Sequence, residues 1–190
     1  MIANMSTALQ QLHRWIFIMQ QVHEARHYID RAGELGHPEQ FQSMDGILEF
    51  LVYFRGALNS YAKCFVSSGR GKVKLNKSKV FRTSSDYLDR HSKLMKLRHK
   101  YVAHSDDNEF EKSCLKNSDT ESELVVELQY HFSFPFDRLY ELRDLIKHLE
   151  SYVVDCHANH VAGIERQIGK PVRIKEGEQA VPTDRAKPRS

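Results

Sequence analysis

The stretch FDRLYELRDLIKHLESYVVDCHANHVAGIERQI, residues 136–168, decides the predicted fold. Its apolar residues recur at steps of three and four, which is the spacing of one face of an α-helix. The residues predicted to form this face are Leu139, Leu142, Leu145, Ile146, Leu149, Val153, Ile164 and Ile168. The stretch therefore predicts a long amphipathic helix, from near Phe136 to about Ile168, with one face in a hydrophobic core.

Three earlier segments have the same spacing. The first predicted helix runs from about Thr7 to Ala32, with Ser6 as its N-cap. The second runs from about Phe41 to Val66, and the third from Ser84 or Ser85 to about His104. The residues predicted to face the core are Leu9, Leu12, Ile16, Met19, Val22, Ala25 and Ile29, then Ile47, Leu48, Leu51, Phe54, Leu58, Tyr61, Ala62 and Phe65, then Tyr87, Leu88, Leu94, Leu97, Tyr101 and Val102. We therefore expect an all-α fold, a bundle of about four long helices.

One segment departs from the helical pattern. Residues 123–132, ELVVELQYHF, alternate and are rich in β-formers, so they predict a strand. The polar residues 105–122 before it predict a loop. Because a strand needs a partner, three candidates stay open: a segment near Lys112–Leu115, the C-terminal Pro171–Ile174, or the same strand of a second subunit.

Size and composition predict one helical domain over residues 1–168 and a flexible tail over 169–190. The hydrophobic fraction of 41% is enough for a core, and the net charge of +3 does not by itself indicate nucleic acid. Three scattered cysteines without C-x-x-C spacing predict reduced thiols in a cytosolic protein. With no signal peptide and no window of about 20 apolar residues, we expect a cytoplasmic protein that does not enter the membrane.

The segment LRHKYVAHSD, residues 97–106, carries the candidate chemistry. Arg98 and His104 are six residues apart at the end of the third predicted helix. An arginine binds phosphate and keeps its proton, whereas a histidine gains or loses one near neutral pH. The pair therefore indicates a phosphate-binding or phosphodiester-cleaving site, and the alternative is a polar helix end with local ion pairs.

The pattern Arg98-His99-x-x-x-x-His104 resembles the arginine, polar residue, four residues, histidine signature of the HEPN superfamily. The run LRHKYVAHSDD is also similar to small bacterial HEPN proteins grouped with abortive-infection systems. The resemblance implies a HEPN-like helical bundle that dimerises, and a metal-independent ribonuclease with catalytic residues Arg98, His99 and His104. It further implies a toxin or phage-defence setting, a composite site between two subunits and an antitoxin-like partner protein. The alternative within the family is a non-catalytic module that binds nucleotide, RNA or a partner protein.

A basic segment lies between the second and third predicted helices. It contains six cations and no acid, and they are Arg70, Lys72, Lys74, Lys77, Lys79 and Arg82. Such a segment can follow a nucleic-acid backbone, and the alternative is a solvated loop. We name these six as candidate RNA-binding residues.

A rival pattern is His23-Glu24-Ala25-Arg26-His27, an H-E-x-x-H sequence on the first predicted helix. Histidines four residues apart can bind one zinc ion, with the glutamate as a base. No third-ligand signature follows, and no sheet precedes the helix, so two surface histidines are the better interpretation. His157 and His160 are likewise assigned to a helix surface, and we expect neither a metal nor a cofactor.

Overall fold

The computed structural model describes residues 2–37, 40–41, 43–66, 74–102, 111–119, 122–132 and 137–175. Helices α1 to α5 span Ile2–Glu34, Met44–Lys63, Lys77–Val80, Ser85–Val102 and Asp137–Ile168, and strands β1 and β2 span Glu111–Asp119 and Leu124–Phe132. The protein is therefore mostly helical with one small sheet. The four long helices predicted from the periodicity are present, and the short α3 is an addition.

The long helices pack around one core. Helix α1 packs against α2 and α5, and α4 contacts both α2 and α5. The largest fully buried side chains are Tyr61, Phe50, Phe54, Ile18, Ile29, Leu58, Leu94, Leu142, Leu145, Ile146, Leu149 and Val153. Each such side chain stabilises the fold by about 1.5–3 kcal/mol through removal of apolar surface from water. Helix α5 supplies the core with most of the face predicted for it.

Two predicted core residues are exposed, and the prediction was wrong for them. Leu9 and Leu48 are 51% and 48% exposed, whereas Ile18 and Phe50, which were not predicted, are buried. In α2, the buried row through Phe50 lies beside an exposed apolar row that contains Leu48. Because both rows are apolar, their spacing alone does not select the one that faces the core.

The start of α1 also differs from the prediction. The helix begins at Ile2, so Ser6 lies inside it and is not its N-cap. Helix α2 begins at Met44 rather than near Phe41, because Ser43 has extended backbone angles and its Oγ accepts a hydrogen bond from the Gly46 N–H. A capping serine of this kind fixes the first turn of a helix.

The segment before α4 has more structure than a basic loop. The Leu75 N–H donates to the Cys64 carbonyl oxygen at 2.8 Å, which holds the segment against the end of α2. Asn76 then starts α3, since its Oδ1 accepts from the Ser78 N–H at 2.9 Å. Val80 and Phe81 are buried directly afterwards. This helix was not predicted, because four residues are too few to show a helical period.

The predicted strand is β2, and its partner is β1. The antiparallel register pairs Leu115 with Leu128 and Asn117 with Val126, so the first of the three candidate partners is the observed one. The loop predicted over 105–122 is wrong for residues 111–119. Their sequence is polar, and pairing with the β-rich β2 gives them their extended form.

The hairpin has an exposed apolar face. Leu115, Leu124, Val126 and Leu128 are all exposed, and Leu115 is 68% exposed. The register places these residues on the same side of the ribbon. This face is the largest apolar feature of the sheet, and its four side chains are between 49% and 68% exposed.

Three further observations bear on the predicted class. No helix within the described ranges combines the length and apolarity needed to cross a bilayer. Cys64, Cys114 and Cys156 are all free thiols. The chain after α5 is described as far as Lys175, and the rest of the predicted tail lies outside the described residues.

Candidate functional site

Two of the three predicted catalytic residues lie near the C-terminal end of α4. Arg98 is half-buried and lies one turn after the buried Leu94, and His99 is exposed. The backbone places the two on adjacent faces of one helical turn. His104 lies outside the described residues, so its distance from Arg98 stays undefined.

Arg98 is held by packing. Its Nε atom is buried and has no hydrogen-bond partner. Its guanidinium forms no ion pair within the part of the chain that the structure describes. A buried donor without an acceptor costs about 1–3 kcal/mol. The structure therefore keeps an arginine charge on α4 that no described carboxylate neutralises.

A groove of about 690 Å³ lies between α4 and the segment that contains α3. We call it the first groove. Its apolar lining comes from Phe65, Leu75 and Met95, with the buried ring of His91, and its cations are Lys74, Lys77 and Lys96. Asn76 and Ser92 complete the lining. Three ammonium groups around an apolar base can bind a polyanion that carries flat rings.

The lysines of the first groove differ from two other cations of α4 and from several arginines elsewhere on the protein. On the same helix, Arg90 pairs with Asp86 at 2.8 Å and Lys93 pairs with Asp89 at 2.7 Å. Arg26, Arg31, Arg138 and Arg143 pair with carboxylates too. Lys74, Lys77 and Lys96 form no ion pair with any described residue. The positive charge of the first groove is therefore available to a ligand.

His91 forms part of the base of the first groove. Its side chain is 3% exposed, and its Nδ1 shares a hydrogen bond of 2.8 Å with the Tyr61 hydroxyl. Its ring lies 4.5 Å from the Phe65 ring and 5.2 Å from the Phe81 ring, between centroids. Burial, and then the positive charge of Lys77, lower the pKa of His91 from 6.5 to about 4. His91 is therefore neutral at pH 7 and is unsuited to act as a general acid.

The six predicted RNA-binding cations do not share one surface. Lys74 and Lys77 line the first groove, whereas Lys79 and Arg82 line a second groove on the α5 side of α3. Arg70 and Lys72 lie outside the described residues. The short helix causes this division, because burial of Val80 and Phe81 turns the chain between the two pairs.

The four residues that α4 gives to the first groove were not predicted: Lys96, His91, Ser92 and Met95. A signal was present for His91, because it lies three residues before Leu94 in an otherwise apolar row. Lys96 is two residues before Arg98, but its spacing alone did not distinguish it from Lys93. Lys96 lines the first groove and Lys93 does not, and only the packing of α3 beside α4 decides this difference.

The residues of the H-E-x-x-H pattern on α1 are not arranged to bind a metal ion together. His23 and His27 are exposed on α1, and Glu24 accepts a hydrogen bond from the Ser60 hydroxyl at 3.2 Å. Among the described residues, no group of three histidine, cysteine or acidic side chains is placed to hold a metal ion. His160 hydrogen bonds to the Ala8 carbonyl oxygen at 3.1 Å and so joins α5 to α1.

Cys64 is a core residue. It is fully buried, and its thiol donates weakly to the Ser60 carbonyl oxygen at 3.7 Å. Burial raises the pKa of this thiol to about 12, so it stays protonated and unreactive at neutral pH.

Comparison with protein-family models, with curated proteins and with solved structures finds no significant match to this chain. The candidate site is therefore argued from this chain's residues alone: a cationic groove with no carboxylate among its described lining residues, next to a helix end with a half-buried arginine. Such an arrangement can bind phosphate groups and stack a base.

Proposed function

We propose that the protein is a metal-independent endoribonuclease of the HEPN type, with a role in toxin or phage defence. The observation that supports this best is the set of unpaired lysines in the first groove, of which Lys96 is on the same helix as Arg98 and His99. A helix repeats a face every three or four residues, so His99 follows Met95 and Lys96 on one face. A strand of RNA bound by these lysines would continue toward the end of α4.

The reaction we propose uses only the RNA and side chains of the protein. The 2′-hydroxyl loses its proton to a general base, and its oxygen attacks the neighbouring phosphorus. The bond to the 5′-oxygen breaks as that oxygen takes a proton from a general acid, which leaves a 2′,3′-cyclic phosphate and a 5′-hydroxyl. His104 would supply one of these proton transfers, and Arg98 would bind the oxygen on which negative charge increases.

We assign binding, and not proton transfer, to the first groove. Among the described lining residues His91 is the one imidazole, and its pKa of about 4 keeps it neutral and without a proton to give at pH 7. The lysines would instead hold the backbone on either side of the cleaved bond. His99 would position the substrate beside Arg98.

We also propose that the protein acts as a homodimer with a composite site, because one His104 supplies only one of the two proton transfers. The apolar face of the β1–β2 hairpin is a surface that a second copy could cover. Leu115→Lys with Leu128→Lys would then convert a dimer into a monomer in light-scattering chromatography. A wild-type monomer would exclude this arrangement.

The alternative function is a non-catalytic HEPN-type module that binds nucleotide, RNA or a partner protein. One observation favours it: the first groove has binding groups but no described residue that titrates near pH 7. In that case the unpaired lysines would keep their ligand, and no cleavage would follow.

The decisive experiment measures cleavage of a mixed RNA substrate in EDTA by the wild type and by His104→Ala. His23→Ala is the matched control, because His23 is an exposed histidine on α1. We expect cleavage that resists the chelator, that the control retains, and that His104→Ala lowers by about 10²–10⁴-fold.

Two results would contradict the ribonuclease. Equal cleavage by the wild type and His104→Ala would assign the activity to another site. RNA binding without cleavage, weakened by substitution of Lys77 and Lys96, would establish the binding module instead.

A further inference from the structure

The second groove lies between the segment that follows α3 and the face of α5. It has a volume of about 480 Å³, within the range of about 300–1,000 Å³ that is typical of small-molecule sites. Its cations are Lys79 and Arg82, and its polar groups are the hydroxyls of Thr83, Ser151 and Tyr152 and the carboxylate of Asp155. Nothing in the proposed ribonuclease uses these α5 residues.

The second groove is lined by side chains of opposite charge that form no ion pairs with one another. Lys79, Arg82 and Asp155 form no ion pair with any described residue, although all three border the same space. Elsewhere on α5, Arg138 pairs with Glu141 and Arg143 with Asp30. The second groove is therefore lined by two cations and one carboxylate that no ion pair between described residues uses, so both kinds of group are available to a ligand.

The groove has a fixed side. The Nε2 atom of His148 is hydrogen bonded to the Val80 carbonyl oxygen at 2.9 Å, which ties α5 to α3. The His148 ring stacks on Phe81, with 5.7 Å between centroids, and meets the Tyr87 ring edge-on at 5.0 Å. Partial burial raises the pKa of Tyr152, so its hydroxyl keeps its proton at neutral pH. Because these groups are held in place, binding a ligand would require little ordering of this side.

We propose that the second groove binds a ribose phosphate, either as the free sugar phosphate or as part of a nucleotide. The phosphate would lie on Lys79 and Arg82, since an arginine donates two parallel hydrogen bonds to phosphate oxygens. The ribose hydroxyls would donate to the Asp155 carboxylate, which accepts hydrogen bonds only. The separation of Asp155 from the two cations is the observation that selects a ligand with both groups over phosphate alone.

The test is calorimetric titration of the whole chain with ribose 5-phosphate, adenosine 5′-monophosphate, inorganic phosphate and ribose. We expect ribose 5-phosphate to saturate one site and to bind at least about tenfold more tightly than inorganic phosphate. Arg82→Gln should weaken both phosphorylated ligands by about tenfold. Asp155→Asn should remove the preference for ribose 5-phosphate over phosphate. Arg82 and Asp155 are exposed, so circular dichroism should show both variants folded.

Lys116→Gln is the matched control, because Lys116 is an exposed cation of β1 that lines neither groove, and its loss should leave these constants unchanged. Tighter binding of the nucleotide than of ribose 5-phosphate would identify a nucleotide as the ligand, and equal binding would identify the sugar phosphate. The proposal is overturned if neither saturates the folded protein at millimolar concentration. It is equally overturned if Arg82→Gln has no effect, or if Asp155→Asn keeps the preference.

Discussion

The two grooves beside α3 take cations from the same run of basic residues, but they differ in what surrounds those cations. In the first groove, Lys77 lies above an apolar base, and none of the lining residues that the structure describes carries a carboxylate. In the second, Arg82 faces hydroxyl groups and the carboxylate of Asp155. The first suits a polyanion with flat rings, and the second a small ligand with an anionic and a hydroxyl end. The number of basic residues in a segment therefore does not define which ligand it binds. The side chains that the neighbouring helix places around the cations define it.

The residue that separates the grooves is Phe81. It is 2% exposed, and its ring contacts Phe65 and His91 on one side and His148 on the other. Substitutions of Phe81 and of residues of the first groove test the comparison, in order of expected effect.

Phe81→Ala should have the largest effect. Removing a buried aromatic ring leaves a cavity under both grooves, so we expect the free energy of unfolding to fall by about 3–5 kcal/mol. Urea denaturation measures this change. Phe81→Leu keeps most of the apolar volume and should lose less. A loss below about 1 kcal/mol for Phe81→Ala would mean that the two grooves do not share this support.

The second prediction concerns the pH dependence of the first groove. The pKa of His91 is about 4 in the folded protein and 6.5 in a free side chain, so the unfolded chain binds the proton more tightly. Stability due to neutral His91 is therefore complete above pH 6.5, and it decreases as the pH falls through 6.5 toward 4. The total loss is roughly 3 kcal/mol.

Urea denaturation of the wild type and His91→Asn between pH 7 and 4.5 tests this prediction. The asparagine amide can replace the hydrogen bond between the Tyr61 hydroxyl and His91 Nδ1, but it does not titrate. The wild type should lose stability more steeply than the variant as the pH falls. Parallel curves would show that His91 is not protected from protons in the folded state.

The third prediction uses the contrast between the unpaired lysines of the first groove, Lys77 on α3 and Lys96 on α4, and the paired Lys93 of α4, and it depends on the proposed RNA binding. Lys77→Gln with Lys96→Gln should weaken RNA binding by about tenfold and reduce the slope of affinity against salt. Lys93→Gln should do neither, because Lys93 already pairs with Asp89. Fluorescence anisotropy at several salt concentrations gives both quantities. An equal loss of RNA affinity in Lys93→Gln and in the double variant would indicate that RNA is attracted non-specifically to the positive charge around α4.

The smallest effect is expected at Asn76, which begins α3. Asn76→Ala removes the acceptor for the Ser78 N–H and should lower the free energy of unfolding by about 0.5–1 kcal/mol. Asn76→Ser keeps an N-cap oxygen and should restore most of that stability. If the alanine and serine variants unfold alike, the cap does not hold α3 in place.

Some elements could be predicted from local pattern. The face of α5 and the strand β2 were found because their periods extend over many residues. The exposed row through Leu48 was missed because two parallel rows of α2 are apolar, and the partner helix selects between them. Strand β1 was missed because its residues have weak β-propensity, and pairing with β2 determines its form.

The candidate site divides in the same way. Arg98 and His99 could be identified from their motif, and so could the cations of the basic segment. Lys96 and His91 could not be identified as residues of the first groove, because they line it only when α3 packs beside α4. Asp155 is 73 residues from Arg82 in the sequence, since Arg82 follows α3 and Asp155 is on α5, and no spacing rule connects them.

The sequence by itself determined the helical class, the long helices and the positive segment, because periodicity and charge are properties of neighbouring residues. Only the tertiary structure decided which lysines keep an unpaired charge, and that one basic segment serves two grooves. The physical reason is that burial of Phe81 depends on the rings of Phe65 after α2, His91 on α4 and His148 on α5. The local pattern of residues determines the helices and strands. Long-range packing determines which groups surround a charged side chain, and those groups determine which ligand it can bind.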